Sequence, residues 1–310
     1  MQTLITIIGP TATGKSDLAV AVALHIEETF GKKAEIISAD SRQIYKHLDI
    51  GTGKITEDEM CGIPHHMLDI IDPKDLYSVF RYADDVNKIL HDMQTRNVVP
   101  ILCGGTGFYI DAVLFGNVGA ETPPDLERQN ELEILDMREL TVMLQKLSEE
   151  KNIDISHVDI QNKRRVARAI TILQSDGTFA KKNTEPLYNT LCIGLDTTTE
   201  KLRERIQKRI SVRMDQGMIE ESEKLLEEGI FTHDRMKKLG LEYKFISQLI
   251  TKEITLGEFT EKLFFAIWHY AKRQRVWFKR YTQTHWFDAE DIKQNSTPVY
   301  AVVDEFFKVN

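Results

Sequence analysis

A chain of 310 residues, 42% apolar and 28% charged, has the make-up of a globular protein with material for a sizeable core, in one large domain or two smaller ones. No apolar run approaches the roughly 18 residues that span a bilayer, no basic leader with a cleavage site is present, and Cys61, Cys103 and Cys192 stand too far apart for a zinc site or disulfide frame, so the expectation is a cytoplasmic protein with no membrane partner. The net charge of −8 has the wrong sign for a nucleic-acid partner, yet 163–168, 201–213 and 268–280 hold 15 of the 40 Lys and Arg, opposed only by Glu204, which makes a polyanion partner a candidate.

Thr3–Ile8 reads as a buried strand, "GPTATGKS" (9–16) fits G-x-x-x-x-G-K-[ST], and Lys15–Phe30 reads as the helix that follows; strand, loop, lysine and helix in this order are what the motif needs. Gly9, Pro10, Thr11, Ala12, Thr13, Gly14, Lys15 and Ser16 then wrap an anion. Loop N–H groups converge on it, the helix N-terminus adds partial positive charge, Lys15 adds a full one, and Ser16 can ligate Mg²⁺. Nothing in that geometry separates a nucleotide from another diphosphate.

Glu35–Ser38 (strand), Ser78–Arg96 (helix), Val98–Cys103 (strand) and Phe108–Phe115 (helix) continue the alternation of a parallel sheet, and the glycines at 104, 105 and 107 follow the third strand, where such sheets place their ligand crevice. Asp40, just past the second strand in "SADSRQIYKHLDIGTGK", could hold Mg²⁺ through water or act as a general base, and position alone does not choose. "AETPPD" (120–125) breaks the pattern, and the polar, helical text to about 175 reads as an inserted arm. "LCIGL" (191–195) returns to a buried strand, helices dominate 199–282, and a last helix starts at Pro298. The expected domains are 1–122 (first part of the core), 123–188 (arm) and 189–310 (core completion and C-terminal helices). At 100° per residue Leu202, Ile206, Ile210 and Met214 form an apolar stripe, with Arg213 on it and Arg209 at its edge. An arginine there meets a carboxylate of the same chain or an anion from outside.

In order along the chain, "GPTATGKS", "SADSRQIYKHLDIGTGK", "PHHMLDIIDPKDLYS", "PILCGGTGFYIDAVLFG", "RIQKRISVRMDQGMIEE" and "AKRQRVWFKR" resemble the tRNA dimethylallyltransferases of bacterial type, over nearly the whole chain. The resemblance implies an α/β fold: a P-loop parallel-sheet core with an inserted, mainly helical tRNA-binding arm and a helical C-terminal part. It implies a monomer that uses Mg²⁺ and moves the prenyl group of dimethylallyl diphosphate to N6 of adenosine 37 in the tRNA anticodon stem-loop. It implies that Asp40 is the base, that Lys15, Ser16 and Arg209 serve the leaving diphosphate, and that Thr11 and Thr13 donate hydroxyls to it. It implies tRNA contacts at Asp40, Ser41, Arg42, Gln43, Thr106, Arg128, Arg164, Arg165, Arg168, Lys272, Arg273 and Gln274. Departures from the family pattern stand at Asn162, Thr171, "KKLGLEYK" (237–244) and Ile267. Rival readings are a P-loop kinase of a nucleoside or other small molecule, an NTP-gated RNA-binding switch and an adenylate prenyltransferase. The first and last leave the basic segments unexplained, and the second leaves Asp40 and Arg209 without a task.

Overall fold

The computed structural model describes residues 2–117, 125–175, 177, 179 and 183–309. Continuous apolar runs bounded by glycine or turn residues give strands buried on both faces. They are β1 (Thr3–Ile8), β2 (Ala34–Ala39), β4 (Val99–Gly104) and β5 (Asn189–Asp196), with the short β3 (His65–His66) and β6 (Thr284–Asp288) at the edges. All neighbours pair in parallel, in the order β3-β2-β4-β1-β5-β6. β1 is central: the chain builds outward on one side of it through β4, and crosses to the other only with β5. That reversal puts the loop after β1 at the switch point where open α/β sheets bind ligands.

The chain divides into two compact units, one of residues 1–114 with 186–310 and one of 115–185. The core-to-arm boundary expected at 122/123 lies outside the described residues. In the first unit α1 (Lys15–Phe30), α2 (Glu57–Met60), α3 (Val79–Thr95) and α4 (Gly107–Phe115) alternate with β1 to β4. Ile5, Ile7, Val22 and Ile26 make one core with Val299 and Val303 of the last helix. In the second unit α5 (Leu126–Ile134), α6 (Met137–Lys151) and α7 (Lys163–Gln174) close on Leu140, Leu144, Val166 and Ile170.

After β5 come α8 (Thr199–Asp215), α9 (Met218–Glu227), α10 (His233–Leu239), α11 (Leu241–Ile250) and α12 (Leu256–Phe278), then β6, α13 (Ala289–Gln294) and α14 (Thr297–Val309). The stripe Leu202, Ile206 and Ile210 of α8 is buried with Ile44 and Leu48, Tyr243 of α11 and Phe259 and Leu263 of α12. This second core presses α8 and α12 against the loops that leave β1 and β2. No described helix is long and apolar enough to cross a membrane.

Candidate active site

Gly14 caps α1 in a left-handed conformation (φ 86°) and offers no side-chain cap, so the N–H groups of the first turn are left for a ligand. Lys15 Nζ donates to Pro10 O at 2.7 Å, which holds the ammonium over the loop. The Thr13 hydroxyl, expected to serve the anion, is buried and donates to Pro10 O at 2.9 Å instead. Burial pushes the Lys15 ammonium down to about 8, and Arg209 adds to the drop. A bound anion raises that pKa again, so above about pH 8 binding has to take up a proton. On this account diphosphate affinity stays level below about pH 8 and falls by up to about tenfold per pH unit above it. Titration calorimetry on both sides of pH 8 checks this, and Lys15→Arg removes the break.

Three arginines spaced by four residues run along one face of α8, and all turn inward. Arg205 donates to Ala12 O (3.2 Å) and pairs with Glu290 (2.6 Å). Arg209 donates to Thr11 Oγ1 at 3.2 Å. Arg213 donates to Gly51 O and Thr52 O and pairs with Glu242 at 3.2 Å, both side chains being almost wholly buried. The two fates open to an arginine on this helix are therefore both present. Arg213 has its carboxylate, whereas Arg209 has none within ion-pair distance among the described residues. Burial first, then the Arg213 charge, pushes the Arg209 guanidinium down to about 9, still cationic at neutral pH. Gly53 sits at φ +58° under both guanidinia, where a Cβ would lie 1.8 Å from Arg213 Nη2 and 2.6 Å from Arg209 Nη2, so only glycine fits.

Asp40 leaves the end of β2 with Oδ1 accepting the Arg42 N–H at 2.8 Å. Thr106 Oγ1 accepts the Ser41 N–H (3.1 Å) and its own N–H goes to Ala39 O, which ties the Gly104–Gly107 turn to the Asp40 loop. Gln43 Nε2 donates to Gly53 O at 3.0 Å and Glu221 accepts the N–H groups of Asp49, Ile50 and Gly51, so the whole stretch from 40 to 53 is pinned. Gln274, expected at the tRNA, is instead 5% exposed and turned inward. Its Oε1 accepts the Thr11 N–H and its Nε2 donates to Gly105 O, each at 2.8 Å, so it braces the P-loop against the glycine turn. Helical periodicity carried the signal, because Ala271, Gln274 and Phe278 share one buried face.

Two hollows open on this arrangement. The first is walled by Lys15, Ser16, Ile36, Ile55, Cys103 and Gln43, the second by Arg42, Ile206, Arg213, Leu241, Glu242 and Ile267. Thr11, Asp40, Arg209 and Tyr270 line both. A cation pair for an anion and a carboxylate thus face the same junction, which is what transfer from a phosphorylated donor to a proton-bearing nucleophile requires. Tyr270 escaped the sequence reading. Burial, then the Asp40 charge, pushes its phenol up to about 12, so it is neutral. Cys103 is likewise pushed up to about 12 by burial and stays a thiol, Cys192 is buried and Cys61 exposed.

Lys272 and Arg273 are exposed on α12. Arg128, Arg164, Arg165 and Arg168 belong to the second unit, where Arg164 and Arg165 are exposed beside Glu133 and Asp159, and Arg128 pairs with Glu131. Of the departures, Asn162 caps α7 by accepting the Arg165 N–H, Thr171 is buried in α7, and Leu241 and Ile267 stand together in the second hollow.

Residues 43–281 match the family described as IPP transferase. The chain is 39% identical over 297 residues to tRNA dimethylallyltransferase 1 of Parabacteroides distasonis, covering 92% of each chain. It is 36% identical to tRNA dimethylallyltransferase of Bacillus mycoides, covering 94% of this chain and 91% of that one. The crystal structure of the tRNA isopentenylpyrophosphate transferase of Bacillus halodurans superposes with a TM-score of 0.71 at 31% identity, over 100% of this chain and 99% of that one. Sequence and fold agree over nearly the full length of both partners, P-loop sheet and helical additions included, and the chain belongs to the IPP transferase family.

Proposed function

We propose that this protein transfers the dimethylallyl group of dimethylallyl diphosphate to N6 of adenosine 37 in the anticodon stem-loop of tRNA, releasing diphosphate. The observation that carries the reading is the junction where Asp40 faces Arg209 and Thr11 between two hollows. The P-loop holds a leaving group in this reading. As the bond from C1 to the diphosphate oxygen breaks, its electron pair stays on the diphosphate, and Lys15, the loop N–H groups and Arg209 stabilise the growing charge. The N6 lone pair, weak through delocalisation into the ring, forms the new bond to C1 while Asp40 takes the N6 proton. Asp40 is well set for that: its Oδ1 is fixed by the Arg42 N–H, and Oδ2 is uncommitted among the described residues. The base enters unstacked from the duplex, through the Arg42 hollow, beside Thr106.

Ser16 lines the first hollow next to Lys15, and no group of three or more His, Cys, Asp or Glu among the described residues could hold a metal by itself. That donor set fits Mg²⁺ bound mostly by diphosphate oxygens and water with the Ser16 hydroxyl as its protein ligand. The ion would neutralise charge on the departing diphosphate. We place the reaction in the cytoplasm, with the protein acting as a monomer.

Incubation with dimethylallyl diphosphate, Mg²⁺ and unmodified tRNA, followed by nucleoside mass analysis, is expected to give N6-isopentenyladenosine. Phosphate release from ATP on a small acceptor, with no prenylated adenosine, would favour a kinase instead. The arginines of α7, two exposed and Arg168 half-buried, give a second check. Replacing Arg164, Arg165 and Arg168 by Ala is expected to weaken tRNA binding and to lower the slope of log affinity against log salt by up to about 0.9 per lost phosphate contact. Affinity for the donor stays within about threefold. Binding measured at two salt concentrations decides, and equal slopes remove the arm from the tRNA interface.

A further inference from the structure

Resting on that reading, we propose that the ring of Tyr270 faces the reacting allylic carbon and shares its positive charge through the aromatic π-face. Four residues line both hollows, and three of them have tasks: Thr11 and Arg209 at the leaving group and Asp40 at the nucleophile. Tyr270 is the fourth, and it is the one aromatic side chain among the four.

The charges around it give the reason. Lys15 and Arg209 favour departure of an anion but repel the cationic carbon it leaves behind. That carbon gains from negative potential offered by a group that cannot capture it, and an aromatic face provides this without a reactive lone pair aimed at the carbon. The helix supports the orientation. Ile267, Tyr270 and Gln274 fall on one face of α12 and all line the hollows. Gln274 is fixed at both ends of its amide, which sets the rotation of that face. Arg273 approaches the Tyr270 ring at 5.8 Å from its centroid, at the outer limit of such contacts. Proton and electron counts stay those of the transfer step: C1 loses the diphosphate oxygen, gains N6, and the N6 proton goes to Asp40. Tyr270 exchanges neither proton nor electrons.

The test is single-turnover prenyl transfer by the whole protein with saturating dimethylallyl diphosphate and unmodified tRNA. Tyr270→Phe is expected to be about threefold slower, through the lost hydroxyl, and Tyr270→Leu about 30-fold slower. Tyr270→Phe proteins whose introduced ring carries one, two or three fluorines are expected to slow by about twofold per fluorine, in a log-linear series, because fluorine drains the π-face at nearly constant shape. Donor and tRNA dissociation constants stay level across that series, which a packing role would not predict. A flat fluorine series overturns the proposal, as does a Tyr270→Phe protein as slow as Tyr270→Leu, which would put the effect in the hydroxyl. The fluorine series decides even where Tyr270→Leu fails to fold. Failure of the wild-type protein to form any prenylated adenosine would instead refute the transfer reading on which this one rests.

Discussion

Asp40→Ala is expected to lower the single-turnover rate of prenyl transfer by about 10² to 10⁴, the range for loss of a general base, while dimethylallyl diphosphate still binds within about threefold of wild type. The split follows from position. Asp40 stands at the junction on the end of β2, whereas the anion is held by the loop after β1 and by α8. Asp40→Asn sharpens the experiment, because an amide oxygen can still accept the Arg42 N–H that shapes the loop. If loop geometry were the whole contribution of Asp40, the Asn protein would recover most of the rate. A base predicts that it recovers little. Near wild-type turnover in either variant removes Asp40 from the chemistry.

Arg209→Ala is expected to reduce kcat/KM by about 10² to 10³, the cost of removing one preorganised charge from a developing anion. Stability is the second readout and separates Arg209 from its neighbour. Arg213→Ala leaves Glu242 buried without its cation and is expected to cost about 3–5 kcal/mol. Arg209→Ala strands no carboxylate and relieves the repulsion between two guanidinia that share Gly53, so its thermal midpoint is expected to hold or rise. A destabilisation of Arg209→Ala as large as that of Arg213→Ala would make Arg209 a structural arginine and move the diphosphate elsewhere.

Much of this site was legible because its parts are local. The P-loop is one strand, one turn and one helix start, and both β1 and α1 lie where the apolar pattern and the motif put them. The inward side of α8 was half legible. Periodicity set Arg213 on the buried stripe, but the pairing with Glu242 spans 29 residues and two helices, which no local pattern encodes. β3, two residues long, is too short for any periodicity, and it exists because β2 offers it an edge. Gln274 came with Lys272 and Arg273 in one motif of the resemblance, and a motif read as a block does not say which side of a helix each of its residues takes, whereas here Gln274 alone of the three is buried. Tyr270 was hidden by the same helix, since an aromatic residue in an apolar stretch reads as core until the facing loops are in place.

Residues 272 to 274 of α12 join the protein surface to the loop after β1. Two consecutive cations look outward, and the next residue grips Thr11 N–H and Gly105 O. An α-helix is stiff over so short a span, so a displacement of Lys272 and Arg273 by a few tenths of an ångström would be passed through Gln274 to the loop after β1. Were a bound nucleic acid to change donor affinity by this route, the bound donor would return the same factor to nucleic-acid affinity. One glutamine side chain would be the connecting rod of that exchange.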